Sequence, residues 1–146
     1  KARKYGLKAL NAAIDGVKGT TAVHICFGYA AVIHVRPEGY SFLPEFANSP
    51  IQQISIETAQ SNLDCRVLEG LKGKQIMVGC LDLEDPAVES PATVAARIRN
   101  ALRYLKPADV ILAPDCGMKY LPRATADGKL RSMVAAAQML RSEYGS

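Results

Sequence analysis

The sequence predicts an α/β protein built on a parallel sheet, and two observations lead to this prediction. Segments with helical periodicity alternate with short, almost continuously apolar segments along the 146 residues. Continuous apolar runs are typical of parallel strands covered by helices, and strand–helix alternation is typical of parallel α/β folds. With 49% hydrophobic and 22% charged residues, the composition suits a single packed domain that spans residues 1–146.

Four segments have the apolar, β-branched character of strands, namely Thr21–Phe27, Gln53–Glu57, Gln75–Leu81 and Val110–Ala113. Apolar residues at three- and four-residue spacings predict helices at Lys4–Val17, Ser41–Ala47, Asn62–Leu71, Ser90–Leu105 and Thr125–Tyr144. One helix followed by four strand–helix units fits an open doubly wound sheet or part of a closed barrel. A glycine-rich phosphate loop does not follow the first strand, which weakens the open-sheet alternative.

The sequence also predicts how two of the helices begin and which face of the last helix is buried. Ser41 and Ser90 precede helical segments and are expected to cap them. Pro91 suits the first turn of a helix, because its missing N–H has no partner there. The closing helix is expected to bury an apolar stripe that consists of Leu130, Val134, Ala137 and Leu140.

Residues that can bind a metal stand at the end of every predicted strand. His24 and Cys26 end the first strand, Glu57 the second, Asp82 follows the third and Cys116 the fourth. The carboxyl ends of parallel strands form the active site in such folds, and residues two apart on a strand point to one side. Two sulfurs, an imidazole and a carboxylate can hold tetrahedral zinc, and thiolates favour zinc over magnesium. The residues therefore indicate a zinc site.

The same residue types also have structural interpretations. A strand histidine can be a core residue, and free cysteines often pack as small apolar side chains. Cys65 and Cys80 are assigned such packing roles, and His34 is interpreted as a solvated loop residue. Glu57 is different, because a carboxylate that directly follows an apolar run is costly to bury without a partner.

Charge and composition exclude several classes of partner. The net charge of +4 comes from scattered residues rather than from one basic face, so no nucleic-acid partner is expected. No run of 18 apolar residues occurs, so no membrane span is expected. The four cysteines show no disulfide or metal-knuckle spacing, and no signal peptide is visible. We therefore expect reduced thiols and a cytoplasmic location.

Three segments, TAVHICFG, ISIETAQS and LAPDCGMKYLPR, make the sequence recognisable. The sequence resembles the carboxyl-terminal half of the catalytic barrel of cobalamin-independent methionine synthases. Two further segments, VGCLDLEDPAVESPATVAARIRNAL and KLRSMVAAAQMLR, are similar to that family as well. The resemblance implies half of a (β/α)8 TIM-type barrel, with four parallel strands and flanking helices, as a fragment of a longer enzyme. It also implies Zn²⁺ held by His24, Cys26, Glu57 and Cys116.

The resemblance further implies methyl transfer to a thiol such as homocysteine, which forms methionine. The donor would be a methylfolate or, as in shorter members, a methyl-corrinoid, and a related branch uses coenzyme M as the thiol. Glu57 is the ligand that the incoming thiol is expected to displace. Asp82 is a candidate catalytic residue that would support a metal ligand or bind the substrate amine, and its structural interpretation is a cap or loop residue. We expect the chain to need the missing barrel half or self-association, and to bind zinc with little activity alone.

Departures from the family pattern limit what can be carried over. Glu84 stands where long methionine synthases have a histidine, so a proton-transfer role for that position is not assigned. The loop over residues 28–50 is longer than expected. Two other functions remain open. One is a non-catalytic zinc-binding module that assembles through a broad apolar inner face. The other is a metal-free enzyme with Cys26 or Cys116 as nucleophile and His24 as base.

Overall fold

Four short strands form one parallel sheet in a computed structural model that describes residues 5–28 and 39–145. The strands are β1 (Ala22–Ile25), β2 (Gln53–Glu57), β3 (Gln75–Leu81) and β4 (Val110–Pro114). They lie in the order β1-β2-β3-β4, and each neighbouring pair is parallel. All four predicted strands are confirmed, and β2 and β3 have the predicted bounds.

Within the described residues, three α-helices and three 3₁₀ helices connect and flank the strands. The α-helices are α1 (Leu7–Ile14), α2 (Pro91–Leu102) and α3 (Arg123–Tyr144), and the 3₁₀ helices are Leu43–Asn48, Cys65–Leu71 and Pro107–Asp109. Among the described residues no helix is both long enough and apolar enough to cross a membrane. The alternation of strands and helices is therefore confirmed, with 3₁₀ turns in the shorter connections.

Several helices are shorter or tighter than predicted. Gly16, with φ of +75°, follows the end of α1, so the helix does not reach Val17. Asn62 has φ of +47°, which is outside the helical region, and the 3₁₀ helix starts only at Cys65. The predicted cap at Ser41 is wrong, because Phe42 precedes the 3₁₀ helix without a side-chain cap.

The cap at the start of α2 is confirmed. The Ser90 hydroxyl accepts a hydrogen bond from the N–H of Thr93 at 3.1 Å, and Pro91 occupies the first turn. The bond satisfies a backbone donor that has no partner within the helix.

The two faces of the sheet differ in character. Residues of alternate positions, including Ile54, Ile56, Ile76 and Val78, are fully buried in the core beneath the helices. The opposite face carries polar cross-strand pairs, because Gln53 donates to Gln75 at 2.8 Å and the Ser55 hydroxyl lies beside His24. The expectation of a broad apolar inner face is therefore wrong, and this face is mixed.

Helix α3 buries a different stripe from the one predicted. Leu130 is 40% and Val134 55% exposed, whereas Lys129 is fully buried. The Lys129 ammonium lies 2.7 Å from a carboxylate oxygen of Glu89, so an ion pair determines which face of the helix packs inward. Leu140 is buried as predicted, and Ala137 is partly buried.

Candidate metal centre

His24 is held in place by a neighbour on the next strand. Its partner in the β1–β2 register is Ser55, and the ring Nδ1 and the Ser55 Oγ are hydrogen-bonded at 2.9 Å. This bond orients the ring and leaves Nε2 for a ligand, which is the usual arrangement of a metal-binding histidine. Burial lowers the pKa of His24 from its ordinary value of 6.5, which favours the neutral, metal-binding form.

Two cysteine sulfurs from distant parts of the chain meet beside this ring. The Sγ atoms of Cys26, just after β1, and Cys116, after β4, lie 3.8 Å apart. A disulfide would need about 2.05 Å. Two sulfurs that share one tetrahedral zinc at about 2.3 Å each lie about 3.8 Å apart. The observed separation is therefore one that would suit two ligands of a single zinc ion.

The three side chains form a group with the chemistry of a zinc site. The ligand atoms of His24, Cys26 and Cys116 all lie within 4.8 Å of one another. Burial, Cys26 and Glu57 raise the pKa of Cys116, against a backbone hydrogen bond from Gly117 that lowers it. A bound cation would offset this repulsion between negative groups and favour the thiolate. Two thiols and an imidazole fit zinc well.

Glu57 lies at the end of β2 and is fully buried, but it does not belong to the group of three. Its Oε2 accepts a hydrogen bond from the backbone N–H of Phe27 at 3.5 Å, directly beside Cys26. The structure thus brings together three of the four predicted ligands. The assignment of Glu57 as fourth ligand and as a catalytic residue stays a prediction.

Tyr40 joins the ends of β1 and β2 and was not found from the sequence. Its hydroxyl donates to the carbonyl of Ile25 at 3.0 Å and accepts from the N–H of Glu57 at 3.2 Å. Its ring stacks on Phe27 with centroids 4.4 Å apart. Burial, followed by the charge of Glu57, raises the pKa of Tyr40, so the hydroxyl stays protonated and keeps its donor role. Tyr40 follows a glycine in a loop, which gives no recognisable signal.

Asp115 precedes Cys116 but does not join the group formed by His24, Cys26 and Cys116. It is fully buried and accepts hydrogen bonds from the backbone N–H groups of three successive residues after β2. Burial raises the pKa of Asp115 to about 6, although these three bonds lower it. Its position after an apolar run was a sequence signal for a functional carboxylate, and the structure shows which groups it binds.

Asp82 begins the loop after β3. Its Oδ1 accepts hydrogen bonds from the N–H groups of Glu84 at 2.9 Å and Asp85 at 3.4 Å. The backbone of Asp82 is held by buried charges, because its N–H donates to Glu89 and its carbonyl accepts from Lys129. Its proposed role toward the substrate stays a prediction.

The remaining predictions concern Cys80, Cys65 and His34. Cys80 is fully buried, its thiol donates to the carbonyl of Ala113 at 3.3 Å, and burial raises its pKa to about 12. Cys65 is buried, and burial raises its pKa as well. The packing roles predicted for both are confirmed. All four cysteines are free thiols. His34 lies outside the described residues.

A family model described as the catalytic domain of cobalamin-independent synthases matches residues 10–139. The chain belongs to this family. The match covers most of the sequence, so the resemblance is not confined to the segments around His24, Glu57 and Cys116.

Individual relatives of the chain are methionine synthases. The chain is 32% identical to a methionine synthase of Thermococcus kodakarensis over 138 residues, covering 94% of this chain and 38% of that protein. It is 34% identical to a methionine synthase of Saccharolobus solfataricus over 143 residues, covering 95% and 40%. The chain thus spans about two fifths of the length of these curated relatives.

A solved structure confirms the fold class. The chain matches a B12-independent methionine synthase from Shewanella sp. W3-18-1, solved in complex with selenomethionine, with a TM-score of 0.85 and 29% identity. The match covers 97% of this chain and 44% of that one. The prediction of half of a TIM-type barrel, with four parallel strands and flanking helices, is therefore confirmed.

Proposed function

We propose that this chain supplies the zinc-binding half of an enzyme that transfers a methyl group to the thiol of homocysteine and so forms methionine. The observation that carries the proposal is the group formed by His24, Cys26 and Cys116. Membership of the cobalamin-independent synthase family and the methionine synthase relatives support the reaction type. The proposed metal ligands are these three residues and Glu57.

Bound zinc would supply the substrate thiol as a thiolate, which is the nucleophile that a free alkyl thiol largely lacks at neutral pH. The thiolates of Cys26 and Cys116, together with buried Glu57, surround the site with negative charge. That charge keeps the substrate sulfur electron-rich. If Glu57 holds the metal, it would be the hardest of these ligands and therefore the one to give way to the incoming thiol.

Methyl transfer then needs only alignment of two reactants. The substrate sulfur attacks the methyl carbon, a sulfur–carbon bond forms, and the bond from that carbon to the donor breaks. The donor retains the electron pair of the broken bond. The residues of the site contribute by holding the thiol and orienting it, rather than by polarising a carbonyl.

Asp82 is proposed to bind the amino group of the substrate. Both hydrogen bonds that fix its carboxylate use Oδ1, which leaves Oδ2 able to accept from an ammonium group. The backbone of Asp82 is held on both sides by the buried pair of Glu89 and Lys129. This support places the carboxylate on a rigid part of the loop after β3.

The methyl donor is proposed to be a methylfolate or a methyl-corrinoid, and coenzyme M is the alternative acceptor thiol. We place the reaction in the cytoplasm, a proposal with which the four free thiols agree. Neither nucleic acid nor a membrane is proposed as a partner.

The other half of a barrel is the proposed protein partner, supplied by the same protein or by a second copy of this chain. The chain covers 44% of the related Shewanella structure. An open apolar cleft of about 430 Å³ lies where β4 meets α2 and α3. Its lining includes Leu102, Val110, Leu112 and Met133. Residues 1–146 alone are expected to bind zinc but to transfer little methyl.

The test compares two cysteine variants in the natural full-length protein. Cys116→Ser removes a proposed ligand, whereas Cys65→Ser alters a buried cysteine of the packing core. We expect methylation of homocysteine to fall about 100-fold or more, with weakened zinc binding, only for Cys116→Ser. Full activity of zinc-free protein would favour the metal-free cysteine enzyme. Zinc binding without methyl transfer, by the complete barrel with either donor, would favour the non-catalytic module.

A further inference from the structure

Asp115 makes an unusual set of contacts for a residue beside a metal ligand. Its Oδ1 accepts hydrogen bonds from the backbone N–H groups of Thr58 and Ala59, both at 3.1 Å, and its Oδ2 accepts one from Gln60 at 2.6 Å. Three successive N–H groups that converge on one carboxylate form an anion-binding concavity. This concavity opens directly after Glu57, at the end of β2.

The carboxylate reaches that loop by crossing over β3 at Gly79. In the sheet Gly79 is paired with Glu57 on one side and with Ala113 on the other. A Cβ on Gly79 would lie 2.2 Å from Oδ1 of Asp115, so only glycine leaves room for the crossing. The loop is also tied to β3, because the Thr58 hydroxyl donates to the carbonyl of Gly79 at 2.6 Å.

Two other aspartates of the chain stabilise turns over short distances. Asp64 accepts from the N–H of Arg66, two residues away, and Asp82 accepts from Glu84 in the same way. Asp115 instead bonds to residues 55 to 57 positions away in sequence. A local turn would not require so distant a partner. What the long-range contact adds is a fixed relation between the ends of β2 and β4.

Those two strand ends carry Glu57 and Cys116, which immediately flank the connected residues. We propose that Asp115 is a positioning residue that sets the place of Glu57 relative to Cys116, so that the carboxylate is presented to the metal. This inference rests on the proposed metal site, and it identifies how strands that are not neighbours deliver their ligands together. Asp115 itself is not proposed to touch metal or substrate.

The first test is the metal affinity of Asp115→Asn, measured by competition between the natural full-length protein and a chelating dye for Zn²⁺. Asparagine keeps the size and one oxygen of aspartate but presents an NH₂ donor to one of the N–H groups. We expect the affinity to fall by about 10- to 100-fold. The matched control is Asp64→Asn, which changes a carboxylate in an exposed turn and should stay within about twofold of wild type.

A double-mutant cycle with Glu57→Gln separates positioning from general stability. If Asp115 acts through Glu57, Asp115→Asn should change the affinity by less than about threefold once Glu57 is already replaced. An equal loss in both backgrounds would overturn the proposal. So would wild-type affinity in a destabilised Asp115→Asn protein.

Thr58→Val is the second variant, for use if Asp115→Asn does not fold. It removes only the bond to the Gly79 carbonyl. It should weaken zinc binding by about threefold in the wild-type background and leave the Glu57→Gln protein unchanged. Failure of the underlying function would look different, since neither wild type nor Asp64→Asn would then bind zinc, whereas failure of the positioning role leaves wild-type binding intact.

Discussion

Gly79→Ala should destabilise the protein strongly, because a methyl group at this position has no free space. It would lie 2.2 Å from Oδ1 of Asp115 and 2.8 Å from both the Asp115 Cα and the Ile56 carbonyl oxygen. Two of these three atoms belong to the backbone on either side of β3, so movement of the Asp115 carboxylate alone would not make room for the methyl group. Overpacking of this kind typically costs about 1–3 kcal/mol.

A further cost comes from displacing the carboxylate. If Asp115 moves, buried N–H groups of the loop after β2 lose their acceptor, at about 1–3 kcal/mol for each unsatisfied group. We therefore expect Gly79→Ala to lower the free energy of unfolding by about 3 kcal/mol or more. That is a large part of the roughly 5–15 kcal/mol by which domains are stable.

The assay is urea unfolding followed by circular dichroism, with Gly70→Ala as the matched control. Gly70 lies in the 3₁₀ helix Cys65–Leu71, and a Cβ there meets nothing within 4 Å. Gly70→Ala should leave the stability unchanged or raise it by about 0.4–1 kcal/mol. If the free energy of unfolding of Gly79→Ala also lay within about 0.5 kcal/mol of the wild-type value, the rigid crossing inferred for Asp115 would be refuted.

Two further predictions concern pH and metal removal. Burial raises the pKa of Glu89, but hydrogen bonds from Lys129, the backbone and Arg97 outweigh it, so this pKa lies below 4.5. The ionised carboxylate therefore stabilises the fold above the unfolded value, and this contribution is lost as pH falls through the depressed pKa. In urea titrations at several pH values, the free energy of unfolding of Glu89→Gln should be about 3 kcal/mol below that of wild type at neutral pH. The difference between the two proteins should become smaller in acid. A difference that does not change with pH would contradict the stabilising role of the ionised Glu89 carboxylate. Removal of zinc by a chelator should speed alkylation of Cys116 but leave Cys80 unreactive, as peptide mass mapping would show, because Cys80 is fully buried with a pKa of about 12. If the chelator did not change the rate of Cys116 alkylation, burial rather than a bound metal would protect this thiol, and the prediction would be wrong.

The strands and the group of His24, Cys26 and Cys116 were accessible from the sequence because they depend on local, repetitive signals. The apolar runs of β2 and β3 predict their bounds, and parallel strands necessarily bring their carboxyl ends to one edge. His24 and Cys26, two residues apart, were expected on one side of the first strand, and their ligand atoms do lie in one group. Chemistry placed at strand ends is therefore well determined by topology.

The buried face of α3 was not accessible in the same way. The apolar pattern favours Leu130 and Val134 as buried residues, whereas the helix buries Lys129 and Ser132. Both bind Glu89, since the lysine pairs with its carboxylate and the serine hydroxyl donates to its carbonyl. A long-range ion pair leaves no periodic signature, and polarity alone assigns such residues to the surface.

Asp115 illustrates the same limit within the site. Asp115 and Glu57 both stand at the end of an apolar run, so the sequence marks each of them as a carboxylate that could bind a metal. The difference between them lies in tertiary contacts, because Asp115 binds the backbone of a loop 55 to 57 residues away. Gly79 of β3 permits this contact, but nothing in the sequence around it distinguishes it from other glycines.

X-ray absorption at the zinc edge, on the natural full-length protein, tests the central claim most directly. We predict two sulfur ligands at about 2.3 Å, with the remainder nitrogen or oxygen, and loss of one sulfur in Cys116→Ser. Addition of homocysteine should raise the number of sulfur ligands to three as Glu57 gives way. A zinc site that lacks sulfur, or one whose spectrum is unchanged by Cys116→Ser, would contradict the assignment of His24, Cys26 and Cys116 as its ligands.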